Sequence, residues 1–308
     1  MKVYYRLEDF NPLDKAVVTT GTFDGVHKGH QTIINRLKEI AVKEKGEVVV
    51  ITFEPHPRIV IYNDSSIRLI NSLPEKIDLL EKAGVDHLLV IPFTKEFSRT
   101  TSIDFIRNIL VGKIGTKKLV IGYNHYFGRN REGSFSHLKE YGPIYGFDVE
   151  EIPAQEIDNV DISSTKIRDA IEKGEVRLAN SYLGHDFTIL GKVVEGNKRG
   201  RAIGFPTANI AVDASYKIIP SLGVYAVRVS IDNKFYNGML NIGKRPTVSD
   251  TDTISIEANV FDFVGDLYGK EIKVSFHSRI RDERKFDSID KLKEQLQKDK
   301  NNCKKILA

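Results

Sequence analysis

A short segment near the amino terminus combines glycines with two histidines. Residues 21–30 read GTFDGVHKGH and directly follow a strand-like run at residues 16–20. A strand, a glycine-containing turn and a helix together direct free backbone N–H groups and the positive helix end at a bound anion. His27 and His30 are three residues apart, so in the first helical turn both imidazoles face one side and can donate to phosphate oxygens. The segment predicts a phosphate site, and the alternative is a tight turn with two solvent-facing histidines.

A second polar segment opens a helical pattern at residues 162–168, which read ISSTKIR. Ser163 or Ser164 alone would be an ordinary helix N-cap. Capping does not require Thr165, the neighbouring lysine and Arg168 as well. Hydroxyls, helix N–H groups and two cations together are suited to bind a triphosphate.

A third segment, residues 191–210, reads GKVVEGNKRGRAIGFPTANI. Its glycine- and cation-rich loop, which includes Lys198 and Arg201, could fold over phosphates, although glycines with basic residues also describe an exposed hairpin. Thr207 and Asn209 are two residues apart on an extended stretch, so their oxygens lie on one side of it. Neutral oxygen ligands suit Mg²⁺ that is shared with substrate phosphates.

The elements that hold these segments alternate between strand-like and helix-like patterns in the first part of the chain. Near-continuous apolar runs such as AVVTT and VVVITF are typical of parallel strands covered on both faces. Apolar stripes at helical spacing lie between them, for example Leu79, Leu80 and Ala83. The predicted strands are residues 16–20, 47–53, 87–92, 118–123 and 147–152. This alternation predicts a doubly wound α/β sheet.

The pattern changes near the GHD sequence at residues 184–186. The β-rich segments beyond it are separated by short turns, which predicts an antiparallel barrel or sandwich. These strands are expected at residues 187–195, 223–231, 234–242, 255–261 and 270–276. A closing helix is expected to begin at Asp287 or Ser288. The domains are therefore predicted as residues 1–185 and 186–308.

Composition sets broader limits. The chain has 308 residues and a net charge of +4 from dispersed charges, which fits a two-domain globular protein. Cys303 is the only cysteine, which excludes an intramolecular disulfide and a thiolate-cluster zinc site and suits a reducing cytoplasm. No apolar run is long enough to cross a bilayer, and the first residues lack a secretory signal pattern. We expect a cytoplasmic protein without nucleic-acid or membrane partners, and at most a weak homo-oligomer.

The combined segments resemble a known family. GTFDGVHKGH followed by ISSTKIR resembles the HxGH nucleotidyltransferases, and FEPHPR and GYNHYFGRNREG resemble their FAD synthetase branch. The later stretches PTAN, MLNIGKRPTV, EANVFDFVGDLYGK and RIRDERKF resemble bacterial riboflavin kinases. Most of the chain is thus similar to the prokaryotic bifunctional riboflavin kinase/FAD synthetases. The resemblance implies a Rossmann-like nucleotidyltransferase domain followed by a small antiparallel β-barrel kinase domain with a C-terminal helix.

The resemblance also implies two reactions and their residues. ATP would phosphorylate riboflavin to FMN, and a second ATP would adenylylate FMN to FAD with release of pyrophosphate. Glu257 is implied as the general base on the ribityl 5′-hydroxyl, with Thr207 and Asn209 as Mg²⁺ ligands. His27 and His30 are implied as the catalytic residues of adenylyl transfer, which needs alignment and charge stabilisation rather than a strong base. The implied nucleotide-binding residues are Gly21, Phe23, Asp24, Gly25, Asn124, Ser163, Ser164, Thr165, Arg168, Lys198 and Arg201, and the implied flavin-binding residues are Asn241, Arg281 and Arg284.

Three positions depart from the family pattern. Thr22 stands where many relatives have Asn or Val, His125 stands at a usually aromatic position, and Asn259 stands where relatives often carry His. Two other interpretations stay open at this point. One is an enzyme in which only one of the two sites works, and the other is a flavin- or nucleotide-binding regulator without turnover. The sequence has no recognisable helix-turn-helix pattern and no concentrated basic face, which does not favour the regulator.

Overall fold

The computed structural model describes residues 1–64, 66–123, 125–153, 162–196, 200, 203–245 and 253–308. The chain divides into two compact units. The sheet unit contains Met1–Ile67 and Lys76–Ser163, and the barrel unit contains Arg68–Glu75 and Ser164–Ala308. These units are defined by packing, and the functional boundary between residues 185 and 186 stays a prediction.

A six-stranded, all-parallel sheet forms the centre of the sheet unit. Its strands are β1 Lys2–Tyr4, β2 Ala16–Thr20, β3 Glu47–Glu54, β4 His87–Pro92, β5 Thr116–Gly122 and β6 Asp148–Ile152. The strand order is β1-β4-β3-β2-β5-β6. The predicted α/β sheet is therefore confirmed, and the short edge strand β1 is an addition that the sequence pattern did not reveal.

Helices cover this sheet because their apolar stripes need burial. Ile34 and Leu37 of the first helix are fully buried, as are Ile106 and Leu110 of a later one. The helices are Lys28–Glu44, Pro57–Tyr62, Leu73–Lys82, Ser102–Asp104 continued by a π-helix at Phe105–Ile114, and Phe135–Tyr145. Helix Leu73–Lys82 is assigned to the barrel unit up to Glu75 and to the sheet unit from Lys76.

The strand order reverses direction between β2 and β5. From β2 the chain continues outward to β3 and β4, whereas β5 and β6 lie on the other side of β2. In open parallel sheets, ligands bind outside the carboxyl ends of the strands at such a switch point. The GTFDGVHKGH segment follows β2, and the GYNHYF stretch begins at the end of β5. The topology therefore supports a ligand site at both of these sequence segments.

A closed six-stranded antiparallel barrel forms the centre of the barrel unit. Its strands are β7 Phe187–Val194, β8 Ala208–Ala211, β9 Gly223–Ile231, β10 Lys234–Arg245, β11 Thr253–Val260 and β12 Glu271–Arg281. They follow the order β10-β11-β8-β7-β12-β9 and close from β9 back to β10. The structure decides between the two predicted alternatives in favour of a barrel. It also adds β8, which was not among the predicted strands.

Among the residues that the structure describes, the helices of the barrel unit are Ser164–Glu172, Val176–Leu183 and Ile289–Leu307. The last begins as expected, because the Ser288 side chain accepts a hydrogen bond from Lys291 N. Cys303 and Leu307 of this helix are buried in a cluster with Met239 and Phe261. Among the residues that the structure describes, no helix is both long enough and apolar enough to cross a bilayer.

A buried lysine joins three parts of the barrel unit. Lys217 Nζ donates hydrogen bonds to Glu75 Oε2 at 2.6 Å, Ile70 O at 2.6 Å and Thr188 O at 2.7 Å. The Glu75 carboxylate also accepts from Leu190 N at 2.8 Å. The Lys217 and Glu75 side chains are 1% and 3% exposed. The segment Arg68–Glu75 is thus attached to the barrel by charge-assisted hydrogen bonds in a water-poor site.

A Lys217→Met substitution is expected to destabilise the barrel unit by about 3–5 kcal/mol, because it leaves the Glu75 carboxylate buried without its countercharge. Thermal unfolding followed by circular dichroism measures this loss. A Glu75→Gln/Lys217→Met double variant is expected to be less destabilised than the sum of the single variants, since it removes both charges. Additive single effects would show that the pair does not interact.

Candidate active sites

The loop after β2 holds backbone conformations that are costly for its residues. Phe23 and Val26 have φ angles of 49° and 41°, and both are almost fully buried. A positive φ is unusual for a bulky residue and a clear outlier for a β-branched one. The surrounding hydrogen bonds hold the loop, because Gly21 N donates to Ile51 O at 3.0 Å and Gln31 Nε2 donates to Val26 O at 2.9 Å. Such strain clusters at functional sites, where it preorganises a ligand loop.

His27 and His30 form the start of the first helix. His27 is the N-cap of helix Lys28–Glu44, and the two imidazole rings stack with centroids 3.7 Å apart and planes at 19°. Phe23 packs against His30 at 4.8 Å, and a Cβ at Gly21 would come within 3.3 Å of the Phe23 ring. The structure therefore brings four of the predicted residues together at the positive end of a 17-residue helix.

His30 is held in its neutral form. Burial lowers the pKa of His30 well below its usual value, and the nearby His27 and Lys76 lower this pKa further. Among the described residues, its Nδ1 atom is enclosed and has no hydrogen-bond partner. A neutral imidazole can donate one N–H to a phosphate oxygen without adding a full charge. Asp24, which was also predicted for this site, is 1% exposed in the same loop.

His125 lies just beyond the end of β5. Its ring stacks with Phe127 at 6.0 Å and 19°, the role that an aromatic residue would have at this position. Burial lowers the pKa of His125 to about 4, and the positive charge of Arg131 adds to this shift. His125 is therefore neutral in the folded protein at physiological pH.

This low pKa makes stability depend on pH. The unfolded chain protonates His125 near pH 6.5, whereas the folded chain stays neutral until about pH 4. His125 therefore does not reduce the free energy of unfolding above about pH 6.5. Below that pH the free energy of unfolding falls, by about 2 kcal/mol between pH 7 and pH 5. A His125→Phe variant is expected to lack this part of the acid dependence. Urea unfolding of both proteins at the two pH values tests it, and equal losses would contradict it.

The ISSTKIR segment begins a helix, as the sequence pattern predicted. Ser164 is the first residue of helix Ser164–Glu172, in which Thr165 is exposed and Arg168 is half-buried. Ser163 belongs to the sheet unit by packing and the helix belongs to the barrel unit. The roles of Ser163, Ser164, Thr165 and Arg168 in nucleotide binding stay predictions.

Three predicted residues of the second site lie in one row across the barrel. Glu257 on β11 pairs with Asn209 on β8 and with Asn241 on β10. Directly paired residues of an antiparallel sheet present their side chains on the same face. The Thr207 hydroxyl completes the group, because its Oγ1 donates to Glu257 Oε2 at 3.3 Å. A carboxylate, two amides and a hydroxyl therefore converge at this face.

The turn that presents Thr207 is held by two contacts of the barrel. Asn259 Nδ2 donates to Pro206 O at 2.6 Å, and Asn259 is 5% exposed. Phe205 N donates to Gly200 O at 2.9 Å, where a Cβ would overlap the Phe205 carbonyl. A Cβ at Gly196 would likewise overlap the Asn209 amide. Asn259, one of the departures from the family pattern, thus positions the PTAN turn, a role that its sequence position alone did not indicate.

The two arginines predicted to bind flavin differ in their surroundings. Arg281 Nε and Nη2 donate to Asp299 Oδ2 at 2.9 and 2.8 Å, which ties the end of β12 to the last helix. Arg284 is exposed in the connection that follows β12. Their role in flavin binding stays a prediction, as does that of Asn241. The predicted residues Asn124, Lys198 and Arg201 lie outside the described residues.

The row formed by Asn209, Glu257 and Asn241 presents mainly oxygen donors, which are the ligands that Mg²⁺ prefers. The Thr207 hydroxyl and the Asn209 amide oxygen are neutral donors of the type that Mg²⁺ accepts when phosphates and water complete its octahedron. Within the described part of the chain, no group of three or more His, Cys, Asp or Glu side chains could hold a metal by itself.

Comparisons with known proteins identify the family of the chain. The FAD synthetase family model matches residues 10–166, and the riboflavin kinase family model matches residues 183–307. The chain belongs to the bifunctional riboflavin kinase/FMN adenylyltransferase family. Relatives with that name share 38% identity in Listeria monocytogenes, 40% in Bacillus subtilis and 39% in Escherichia coli K12. The matches span 94–96% of this chain and 92–94% of the relatives.

A solved structure is similar to this chain over nearly its whole length. The crystal structure of a protein from Streptococcus pneumoniae, titled a macrolide-efflux protein, superposes with a TM-score of 0.88 at 34% identity and covers 98% of both chains. That title describes the other protein. Both family models and the three curated relatives instead name flavin-cofactor enzymes, and these decide the family of this chain.

Proposed function

We propose that the two reactions of the family use two separate groups of residues in this chain. The chain converts riboflavin to FMN and then FMN to FAD. The row formed by Asn209, Glu257 and Asn241 with Thr207 supports the kinase assignment. The stacked His27 and His30 at the switch point of the parallel sheet support the adenylyltransferase assignment.

In the kinase reaction, Glu257 accepts the proton of the ribityl 5′-hydroxyl as its oxygen attacks the γ-phosphorus of ATP. The new O–P bond forms while the bond to ADP breaks. Thr207 and Asn209 would hold Mg²⁺, which neutralises phosphate charge when it is bound. The hydrogen bond from Thr207 to Glu257 orients the carboxylate before substrate arrives.

In the adenylyltransferase reaction, a phosphate oxygen of FMN attacks the α-phosphorus of a second ATP and pyrophosphate leaves. The attacking phosphate is already anionic, so no side chain has to remove a proton. His27 and His30 donate hydrogen bonds to the phosphates, and the strained loop fixes where these donors lie. Gly21, Phe23, Asp24 and Gly25 shape this loop.

Separate assays test the assignment of both activities to one chain. The protein is incubated with ATP and Mg²⁺ plus either riboflavin or FMN, and the products are separated by chromatography. We expect FMN and then FAD from riboflavin, FAD and pyrophosphate from FMN, and no FMN from riboflavin in the presence of EDTA. An enzyme with one working site would give one of two other results. It would form FMN from riboflavin but no FAD, or it would form FAD from FMN but no FMN from riboflavin.

We further propose that the enzyme works in the cytoplasm on small molecules, without nucleic-acid or membrane partners, and self-associates weakly at most. The dispersed charge, the single buried cysteine and the substrates support this proposal. Sedimentation velocity over a range of protein concentrations tests the oligomeric state. A concentration-independent dimer would contradict it.

A further inference from the structure

The sheet unit contains a buried lysine that the two proposed groups do not use. Lys76 lies in the first turn of helix Leu73–Lys82 and is 3% exposed. Lysine is almost never fully buried unless it is paired. Among the described residues, however, Lys76 Nζ donates no hydrogen bond and forms no ion pair within 4.0 Å. The amino group of Lys76 therefore has no hydrogen-bond partner in the described part of the chain, and its nitrogen is not among the fully enclosed atoms.

The surroundings of Lys76 act on its pKa in opposite directions. Burial lowers the pKa of Lys76, whereas the carboxylates of Asp24 and Glu54 raise it. Neither carboxylate lies within ion-pair distance, so they stabilise the charge without using its donors. Lys76 therefore has two carboxylates in its surroundings but no hydrogen-bonded partner among the described residues.

Lys76 also lies close enough to His30 to affect its charge state. His30 Nδ1 is a second buried nitrogen that lacks a hydrogen-bond partner among the described residues. Asp24, which also acts on Lys76, belongs to the strained loop after β2. Two nitrogen groups without a partner among the described residues therefore lie near the loop that follows β2. Leaving a buried polar group unpaired is costly unless a ligand satisfies it.

From these observations we propose that Lys76 binds a substrate phosphate in the adenylyltransferase site, together with His30. The inference rests on the proposed function and adds a residue to it. The phosphate belongs to ATP or to FMN, since both substrates present anionic phosphate oxygens. In either case the ammonium donates to phosphate oxygens and stabilises the charge that develops as the bond to pyrophosphate breaks.

The test compares Lys76→Met with wild type, because methionine fits an apolar site and has no charge. FAD formation is measured with ATP varied at saturating FMN, and then with FMN varied at saturating ATP. We expect kcat/KM to fall about 10- to 100-fold for the substrate whose phosphate Lys76 binds. A raised KM for ATP identifies the nucleotide phosphates, and a raised KM for FMN identifies the flavin phosphate. Wild-type kcat/KM for both substrates would overturn the proposal.

Two further readouts separate ligand binding from a structural role. Inhibition of FAD formation by inorganic pyrophosphate is expected to weaken in Lys76→Met if the nucleotide phosphates are bound. The thermal midpoint is expected to stay the same or rise, because a buried charge without close partners is removed. A lower midpoint with unchanged pyrophosphate inhibition and unchanged KM values would show a structural role and overturn the proposal.

The chain offers matched controls. Lys82→Met lies on the same helix, where Lys82 is exposed and paired with Asp78, and it should not change FAD formation. If Lys76→Met does not fold, Lys76→Gln keeps a polar group without the charge and is expected to show the same kinetic loss. FMN formation from riboflavin reports that the chain is folded. Wild-type protein that makes no FAD would contradict the proposed function itself, whereas FAD formation that is insensitive to Lys76 would contradict this inference alone.

Discussion

A Glu257→Gln protein is expected to form FMN from riboflavin about 10²- to 10⁴-fold more slowly than wild type. Glutamine keeps the size of the side chain and can still accept the hydrogen bond from Thr207, but it cannot take the proton of the attacking hydroxyl. The loss should therefore appear in kcat, with little change in KM for ATP. FAD formation from added FMN should continue, because that reaction uses other residues.

A matched substitution controls for the loss of a negative charge on the barrel. Glu271→Gln changes an exposed carboxylate at the start of β12, and FMN formation should remain at the wild-type rate. Thermal unfolding of both variants verifies that the barrel is intact. A Glu257→Gln protein with a near wild-type rate would remove Glu257 from the role of general base.

A His27→Ala/His30→Ala protein is expected to form FAD from FMN about 10²- to 10³-fold more slowly than wild type. The stacked imidazoles supply phosphate donors at the positive end of helix Lys28–Glu44, and alanine supplies none. Because adenylyl transfer needs no base, the pH dependence of the residual rate should be shallow. FMN formation from riboflavin should stay at the wild-type rate.

Single variants show how the two histidines divide this work. His137→Ala, which removes another histidine of the sheet unit, serves as the control and should have little effect. If the rings act as one unit, each single variant should lose nearly as much rate as the double variant. Full FAD synthesis by the double variant would contradict the assignment of the first site.

The sequence predicted those features that depend on local patterns. Near-continuous apolar runs predicted β2, β3 and β4 almost to the residue, because a parallel strand is buried on both faces. The helix start at Ser288 was predicted from capping chemistry, which also acts locally. β8 was missed because it has only four residues and directly follows the Pro-Thr turn, which resembles a loop.

Features that depend on long-range pairing could not be predicted in this way. Lys217 and Glu75 are 142 positions apart, and no local pattern indicates that they meet. The alignment of Asn209, Glu257 and Asn241 depends on the register of three strands, one of which is the missed strand β8. The resemblance to the family named these residues, and the strand register places them in one row.

The sequence position of Lys76 indicates that its side chain is buried. It precedes Leu80 by four positions, so it lies on the apolar stripe of its helix rather than on the solvent face. A cation on the buried face of an amphipathic helix requires a partner or a ligand. With 46 lysines and arginines in the chain, this position alone could not indicate which of them binds substrate.

The central claim is that one chain carries two independent sites, and one set of incubations tests it most directly. Wild type, Glu257→Gln and His27→Ala/His30→Ala are each incubated with riboflavin, ATP and Mg²⁺, and FMN and FAD are quantified by chromatography. Wild type should accumulate FAD, the histidine variant should stop at FMN, and Glu257→Gln should leave riboflavin unchanged unless FMN is added. Two results, obtained with folded proteins, would contradict two independent sites. One is the loss of both FMN and FAD in the histidine variant, and the other is the loss of FAD formation from added FMN in Glu257→Gln.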